Sequence, residues 1–581
     1  MAVPAPPAAA PAAGPVAGPG TPRRLGPFEL KALLGKSAAS MLWHVADTRA
    51  PRELLLLLPR QQPPDAAARD AWLASAQRAV KIEHPGLALP EDIGFTETWP
   101  YLAYARGAGL TMSERLVRQR ATQTQLAAEW LRAAAEGLAA AHDAGWLFVD
   151  LQPFHLLLVD DGRAQLIGLG LLGEPGLARA RHQAGVESET LCLGLLANRL
   201  LGGRPPLETT DTHEALLRMP PLGREFVRLG FEATHPIDEA LRAIVNRSTA
   251  TAPGQRYHSA RPLARALDGW LDRSRHPDGG TAAQLVERIQ RFGVLPVSRG
   301  EAVRSVAAGG LERQHTGAMA ALVQQDAALS LELLRRVNLA RQQQGGGAAD
   351  GVLSLSRAIA MLGQLQVSQI AAGLRPWPGV LAPERVLGLR LALARTLKAA
   401  DVAIPLVPAG YDPEVLRLTA LLQNLGRLLL NYHLSDEAEQ VQGLMKPPEP
   451  TEEQPHPQGL SERQAAFSVL GCDLDTLAAA AIRQLGLGEE AQQLALRPEP
   501  DAPIHPPQGD LEALRLTCAL ANELVDAVAQ PEPRRRQMLD AATRRFARAL
   551  GLSGRDIQLA LFPEAAQAQM QMQARRQATL T

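Results

Sequence analysis

Two kinds of hydrophobic periodicity divide this chain and constrain its fold. Short apolar runs alternate with turn residues over residues 28–58, and residues 156–167 read as two strands joined by a tight Asp-Gly turn. Elsewhere apolar residues recur at helical spacing, as over residues 125–143 and through nearly all of 283–496. Only 4% of residues are aromatic, and the abundant Ala and Leu favour helices. We therefore predict a multi-domain, mainly α protein with strands only near its beginning.

Breaks in these patterns suggest the domain boundaries. The first residues are rich in Ala, Pro and Gly without an early basic region and unbroken apolar stretch, so they do not predict a secretory signal. Polar, Pro/Gly-containing stretches interrupt the helical pattern further along. The predicted parts are a disordered leader at 1–24, a first domain at 25–271, a linker at 272–282, a helical domain at 283–500, a helical extension of that domain at 509–563, and a flexible tail at 564–581.

Charge and cysteine content exclude several classes of partner. Sixty basic and sixty acidic residues give a net charge of zero, so no global field attracts nucleic acid or an acidic membrane. Cys192, Cys472 and Cys518 form no CxxC pair, which suits a reducing cytoplasm and predicts neither disulfides nor a zinc site. The leucines at 54–58 are far too few for a membrane helix, which requires about 20 apolar residues. We expect a soluble, cytoplasmic protein that binds neither nucleic acid nor membrane.

The first domain carries a series of recognisable segments in one order. LGPFELKALLGKSAASMLWHVAD is followed by HPGLALPEDIGFTETWPYLAY and then by AAEGLAAAHDAGWLFVDLQPFHLLLVDDGRAQLIGLG. This order resembles a bacterial serine/threonine protein kinase over about 250 residues. The resemblance implies a two-lobed α+β protein-kinase-like fold, with a phosphate-covering loop, an interlobe hinge and a catalytic loop.

Several residues of the implied nucleotide site depart from the kinase pattern. The Gly-rich loop keeps Gly35, the one cofactor-binding position retained, but has Ser37 and Ser40 at its other glycine positions. Leu57 stands where the resemblance expects the phosphate-binding Lys, and a register shifted by one residue would place Leu56 or Leu58 there instead, so no register supplies an ammonium group. Ser75 stands where the Glu partner of that Lys would be. Both halves of that ion pair are absent together.

The catalytic loop also lacks residues that phosphoryl transfer requires. Asp150 keeps the position of the catalytic base, and we predict that it accepts backbone hydrogen bonds as a structural relic. Gln152 replaces a Lys, and His155 replaces the metal-binding Asn with a ligand that magnesium disfavours. The metal-binding Asp-Phe-Gly is Gly168-Leu169-Gly170, and the Ala-Pro-Glu motif is missing. The sequence therefore predicts no metal site in this domain.

The second domain shows a further resemblance. ALVQQDAALSLELLRRVNLARQQQ, VLSLSRAIAMLGQLQVSQIA and DPEVLRLTALLQNLGRLLLNY resemble the HDOD family, which implies an all-α helical bundle related to HD-type phosphohydrolases and a role in bacterial signal transduction. The metal-holding His-Asp dipeptide of active HD enzymes would fall at Gln423-Asn424, and a later His position holds Leu474. We predict no metal here, and we interpret His142-Asp143 as a helix cap.

These substitutions lead to a functional hypothesis with two alternatives. The main hypothesis is a non-catalytic, regulatory signalling scaffold, that is, a pseudokinase that binds unidentified signalling proteins. It needs no cofactor, and its cleft still has space to bind nucleotide weakly without metal. The first alternative is a serine/threonine protein kinase with atypical ATP-binding residues, in which Lys36 or Lys81 replaces the lost Lys. The second alternative is a nucleotide or cyclic-dinucleotide sensor. Arg335-Arg336 is the only basic cluster that we find for it in the HDOD region, and we interpret this pair as a solvated face.

Overall fold

The computed structural model divides into two compact units, Met1–Leu271 and Asp272–Thr581. The predicted leader up to residue 22, the middle of the predicted linker at 276–279 and the predicted tail from 564 lie outside the residues that the structure describes. The described residues are 23–107, 109–118, 122–173, 176–231, 235–275, 280–308, 316–343, 351–408, 410–450, 457–499 and 502–563.

The first unit contains two antiparallel sheets. The larger has six strands in the order β1-β2-β3-β4-β6-β5, and the smaller has three in the order β7-β8-β9. The strands are β1 (Arg24–Leu25), β2 (Phe28–Lys36), β3 (Ser40–Asp47), β4 (Arg52–Pro59), β5 (Asp92–Thr96), β6 (Trp99–Ala105), β7 (Leu110–Thr111), β8 (Leu156–Leu158) and β9 (Ala164–Leu166).

The run of leucines at 54–58 forms the buried strand β4. It pairs with β3 on one side and β6 on the other, and all five leucines are at most 3% exposed. Leu55 and Leu57 join one apolar cluster, whereas Leu54, Leu56 and Leu58 join another. Because successive side chains of a strand point to opposite faces, a continuous apolar run is what a strand covered on both faces requires.

Helices form the rest of the first unit. They are α1 (Ala66–Ala79), α2 (Met112–Arg118), α3 (Thr124–Asp143), α4 (Arg179–Gly202), α5 (Thr212–Arg218), α6 (Glu239–Ser248) and α7 (Ala260–Arg275). Gly162 has a φ of 86° in the turn between β8 and β9, a conformation that glycine adopts without strain. Helix α7 continues four residues past the boundary predicted at 271.

The second unit is helical throughout its described residues. Its helices are α8 (Thr281–Phe292), α9 (Gly300–Ala307), α10 (Thr316–Val323), α11 (Ala327–Gln343), α12 (Leu355–Gly373), α13 (Val386–Ala403), α14 (Pro413–His433), α15 (Ser435–Met445), α16 (Glu462–Leu470), α17 (Leu474–Gln484), α18 (Gly488–Ala495), α19 (Asp510–Val528), α20 (Arg534–Leu550) and α21 (Gly554–Leu561). One apolar cluster runs from Ala282 to Leu561. The predicted fold class, an α+β first domain followed by an all-α bundle, is confirmed.

Helix α12 is kinked in its middle at Gly363. The helix continues beyond this residue to Gly373, and a Cβ on Gly363 would meet no described atom within 4 Å outside the helix's own backbone. Gly363 has a φ of 76° at this kink inside the helix. Its positive φ, rather than close packing, explains the glycine.

None of the described helices alone is long and apolar enough to cross a membrane. The helices Glu462–Leu470 and Leu474–Gln484 together have the length and composition of a span, but they are bent by 70° relative to each other.

Candidate functional site

Asp150 lies between α3 and β8 and is 5% exposed. Its Oδ2 accepts hydrogen bonds from the hydroxyl of Ser37 at 2.5 Å and the hydroxyl of Ser40 at 2.6 Å. Its Oδ1 accepts a bond from Nε2 of Gln152 at 2.8 Å. These donors are side chains, so the predicted backbone donors are wrong. The carboxylate connects the catalytic-loop segment to the turn between β2 and β3.

Gln152 ties this segment to the start of α5. Its Nε2 also donates to Oδ1 of Asp211 at 2.8 Å, and its Oε1 accepts the N–H of Thr212 at 3.0 Å. Asp211 is the N-cap of α5. A Lys could donate here but could not accept, so the amide performs a bridging role that a cation could not.

His155 is buried in its neutral form beside this carboxylate. Its Nδ1 accepts the backbone N–H of Gln152 at 3.1 Å, which assigns the ring proton to Nε2, 3.4 Å from Oγ of Ser40. Burial lowers the pKa of His155 to about 4, although Asp150 opposes this shift. The imidazole is therefore uncharged at neutral pH.

The turn at residues 37–40, here called the serine turn, is ordered by its own hydroxyl groups. Oγ of Ser37 accepts the N–H groups of Ala39 at 3.1 Å and Ser40 at 3.0 Å. Gly35, which precedes the turn, has no room for a side chain, because a Cβ would lie 2.2 Å from the ring of Phe154. The retained glycine therefore permits close packing against the catalytic-loop segment.

The positions of three missing kinase residues converge in the structure. A Cβ built on Gly168 would lie 2.8 Å from Leu57 and 3.5 Å from the His155 ring. The N–H of Gly168 donates to the buried hydroxyl of Tyr104 at 2.8 Å. An apolar side chain, an imidazole and a glycine therefore lie close together in the structure.

A cation that the sequence interpretation missed lies at the serine turn. Arg60 Nη1 donates to the carbonyl oxygen of Ser37 at 3.0 Å. Arg60 directly follows β4, three residues after Leu57. The sequence pointed instead to Lys36 and Lys81, which are exposed at the end of β2 and after α1. Ser75, on α1, is buried, and its hydroxyl has no hydrogen-bond partner in the described part of the chain.

Glu189 is a second residue that the sequence interpretation missed. One of its oxygens accepts the backbone N–H of Val149 at 2.6 Å, and the other lies 2.9 Å from Nε2 of His142. Val149 has a φ of 70°, unusual for a β-branched residue, directly before Asp150. Glu189 thus holds the strained residue that orients Asp150, and His142 pairs with Glu189 rather than capping α3. In the sequence, the one signal of this role of Glu189 is an acidic residue next to the apolar residues of α4.

The kinase fold implies bound magnesium, which the residues present do not fit. Gly168 supplies no carboxylate and His155 offers a nitrogen, whereas magnesium prefers oxygen ligands in octahedral geometry. Across the described ranges no group of three or more His, Cys, Asp or Glu side chains could hold a metal ion.

In the second unit, arginines surround the position of the HD dipeptide. Oδ1 of Asn424, on α14, accepts bonds from Nη1 of Arg395 and from Nη2 of Arg497, the latter at 2.9 Å. Nδ2 of Asn424 donates to Oδ1 of Asn522 at 2.9 Å. Two guanidinium groups therefore approach the place where the related enzymes hold metal, which would repel a divalent cation.

Two carboxylates form ion pairs with arginines of this network. Asp526 accepts two bonds from Arg395, and Glu462 pairs with Arg427 through two bonds of 2.6 Å. Burial alone would raise the pKa of Asp526 and of Glu462, but the guanidinium groups outweigh burial and lower both. This ionic cluster therefore joins three arginines to two carboxylates, and one positive charge is left over among these five side chains.

Comparison with known proteins gives matches for both units. The model of the "HDOD domain" matches residues 299–467. A "probable serine/threonine-protein kinase" of Streptomyces coelicolor is 25% identical over 306 residues, covering 47% of this chain and 44% of the relative. The "probable serine/threonine-protein kinase PknB" of Corynebacterium glutamicum is 23% identical, covering 42% of each chain. The "serine/threonine-protein kinase PknI" of Mycobacterium tuberculosis is 27% identical, covering 35% of this chain and 36% of the relative.

These names correct the expectation that the chain is not an enzyme. The relatives are named as kinases, which contradicts a prediction based only on the residues missing from the nucleotide site. The chain spans less than half the length of these relatives.

Proposed function

Because residues 299–467 are an HDOD domain and the N-terminal region is homologous to bacterial serine/threonine protein kinases, we propose that this chain is a cytoplasmic signal-transduction protein with an atypical serine/threonine kinase unit. The HDOD domain would be its regulatory partner, and the protein ligands would be other signalling proteins. The free cysteines Cys192, Cys472 and Cys518 suit the cytoplasmic part of the proposal.

The environment of Asp150 is the observation that carries the proposal. A kinase base must accept the proton of a substrate hydroxyl, and Oδ2 of Asp150 already accepts two serine hydroxyls at 2.5 and 2.6 Å. Glu189 and Gln152 fix the backbone and the other carboxylate oxygen. The position, burial and acceptor geometry of a base are thus maintained.

Arg60 is the residue that we assign to the phosphates in place of Lys. It lies beside the serine turn, which covers phosphate in the related kinases, and its guanidinium can bind two phosphate oxygens at once. Its bond to the Ser37 carbonyl would be exchanged for phosphate when nucleotide enters.

Transfer of labelled γ-phosphate from ATP tests the proposal. The full chain is incubated with ATP, with and without magnesium, and its own labelling and that of a general protein substrate are measured. We expect Asp150→Asn to lower the initial rate by about 100-fold or more, because a general base contributes on that scale. Arg60→Gln should raise the KM for ATP more than it lowers kcat.

The matched control is Asp70→Asn, which removes an exposed carboxylate from α1 of the same unit. It should leave the rate unchanged. A wild-type chain that transfers no phosphate under either condition, or an Asp150→Asn variant as active as wild type, would contradict the proposed kinase activity.

A further inference from the structure

A groove in the second unit joins two adjoining cavities of about 560 Å³ and about 380 Å³. Glu332, Arg335, Gly373 and Leu374 line both cavities, so the two lie side by side. Each volume lies within the range of roughly 300–1,000 Å³ typical of small-molecule sites. We call this surface the basic groove.

Arginines from three separate elements line the basic groove. Arg291 comes from the last turn of α8, Arg335 and Arg336 from α11, and Arg375 from the segment after α12. Among the described residues of the lining, Glu332 is the one acidic side chain, and it pairs with Arg335 and Arg336. The lining therefore carries a surplus of positive charge, although the whole chain is neutral.

Three guanidinium groups gather around a single aromatic ring at one end. Arg288, Arg291 and Arg375 lie 5.9, 5.1 and 5.7 Å from the centroid of the Phe292 ring. The dipole of α8 favours cations at the C-terminal end of that helix, which explains the positions of Arg288 and Arg291 but not that of Arg375. Within the described residues none of these three guanidinium groups forms an ion pair with a carboxylate, so like charges converge on this ring.

The backbone holds this end in place. The N–H of Val297 donates to the carbonyl oxygen of Arg375 at 2.9 Å, which links the segment after α8 to the segment after α12. The buried ring of His433 lies 3.1 Å from the carbonyl of Val294. The arginines therefore project from a fixed scaffold, which limits the ordering cost of binding a ligand.

Neutral amides supply the rest of the polar lining. Gln366 and Gln369 come from α12, and Gln484 ends α17. A primary amide both donates and accepts, as the edge of a nucleobase does, and Glu332 can accept from an exocyclic amino group. These amides match the hydrogen-bonding edge of a base, so the lining favours a phosphorylated ligand that also carries a nucleobase.

We propose that the basic groove binds a phosphorylated ligand of nucleotide size. Arg291 and Arg375 would hold the phosphates, and the glutamines would contact the base. Its residues come from α8, α11, α12, α17 and the segment after α12, whereas the ionic cluster at the HD position is built on α13, α14, α16, α19 and the segment after α18. This site is separate from the proposed kinase site and does not depend on kinase activity.

Titration calorimetry of the full chain with ADP, in the absence of magnesium, tests the proposal. We expect ADP to bind, and the double variant Arg291→Gln with Arg375→Gln to weaken binding by about tenfold or more, since each removed contact is a charge-assisted hydrogen bond. Inorganic pyrophosphate, which lacks a base, should bind more weakly than ADP.

The control replaces Arg534 and Arg536 by Gln, which removes two exposed charges from α20 of the same unit. It should bind ADP like wild type. Equal ADP affinity in the Arg291/Arg375 variant and wild type would overturn the proposal by placing the nucleotide elsewhere, the kinase unit included. Absence of ADP binding, or equal affinity for ADP and pyrophosphate, would also overturn it.

Discussion

At the residue scale, the neutral His155 is the most informative side chain of the first unit. It is 3% exposed, and it continues a hydrogen-bond chain through Ser40 to Asp150. Burial lowers its pKa from 6.5 to about 4, so its protonation is disfavoured in the folded state. Folding and the protonation of this residue are therefore linked.

His155→Asn should change how the stability of the first unit depends on pH. Below pH 6.5 the unfolded chain protonates His155 while the folded chain does not until about pH 4, so the free energy of unfolding falls across that window. The loss is roughly 1–3 kcal/mol, since one pKa unit corresponds to about 1.4 kcal/mol. Urea unfolding at pH 7.5, 6 and 5 should give a flatter profile for the variant.

The control for this prediction is His258→Asn, because the imidazole of His258 has a relative exposure of 64%. Its profile should match wild type. If His155→Asn keeps the full acid-dependent loss, then His155 is not the group that is linked to folding.

At the element scale, Asp326 fixes the start of α11. It is fully buried, and its Oδ1 accepts the N–H of Leu329 at 3.0 Å. Its Oδ2 accepts the N–H groups of Ser298 at 2.6 Å and Arg299 at 2.8 Å, as well as the Ser298 hydroxyl at 3.0 Å. One carboxylate therefore caps a helix and attaches the segment before α9 to it.

Asp326→Ala should lower the free energy of unfolding of the second unit by about 3 kcal/mol or more. It leaves several buried donors without partners, and each hydrogen bond to a charged group contributes about 1.5–3 kcal/mol. Ser354→Ala, which removes the N-cap bond of α12, should cost only about 1 kcal/mol. Denaturant unfolding measures both, and equal losses would contradict the special role of Asp326.

The sequence predicts many elements but few of their long-range contacts. The Asp-Gly turn predicts the β8–β9 hairpin because glycine permits the positive φ at Gly162. Local pattern does not identify Glu189 as the support of Val149, since those residues are 40 positions apart. The kinase pattern does not identify Arg60, because it places the phosphate-binding Lys at Leu57 and not at the end of the strand.

At the scale of the whole molecule, the order and type of the two domains are predictable because each periodicity persists over many residues. The basic groove is not predictable from the sequence, because about 40 residues separate Arg291 from Arg335 and about 40 more separate Arg335 from Arg375. The sequence interpretation treats Arg335-Arg336 as a solvated face. Only the folded bundle places these arginines in one groove.

The predicted extension at 509–563 belongs physically to the core of the second unit. The buried leucines Leu514, Leu516, Leu520 and Leu524 of α19 lie in the same apolar cluster as Leu425 of α14. Their burial contributes roughly 6–12 kcal/mol, at about 1.5–3 kcal/mol for each side chain. This is comparable to the total stability of a typical domain, about 5–15 kcal/mol.

A fragment of residues 280–563 should therefore unfold cooperatively, whereas a fragment of residues 280–499 should not. The shorter fragment retains the matched HDOD segment at 299–467 but exposes the surface that α19 covers. Circular dichroism during urea unfolding, together with binding of a dye to exposed apolar surface, distinguishes the two outcomes. If the shorter fragment unfolds with an undiminished midpoint, α19 to α21 are an appendage rather than part of the domain core.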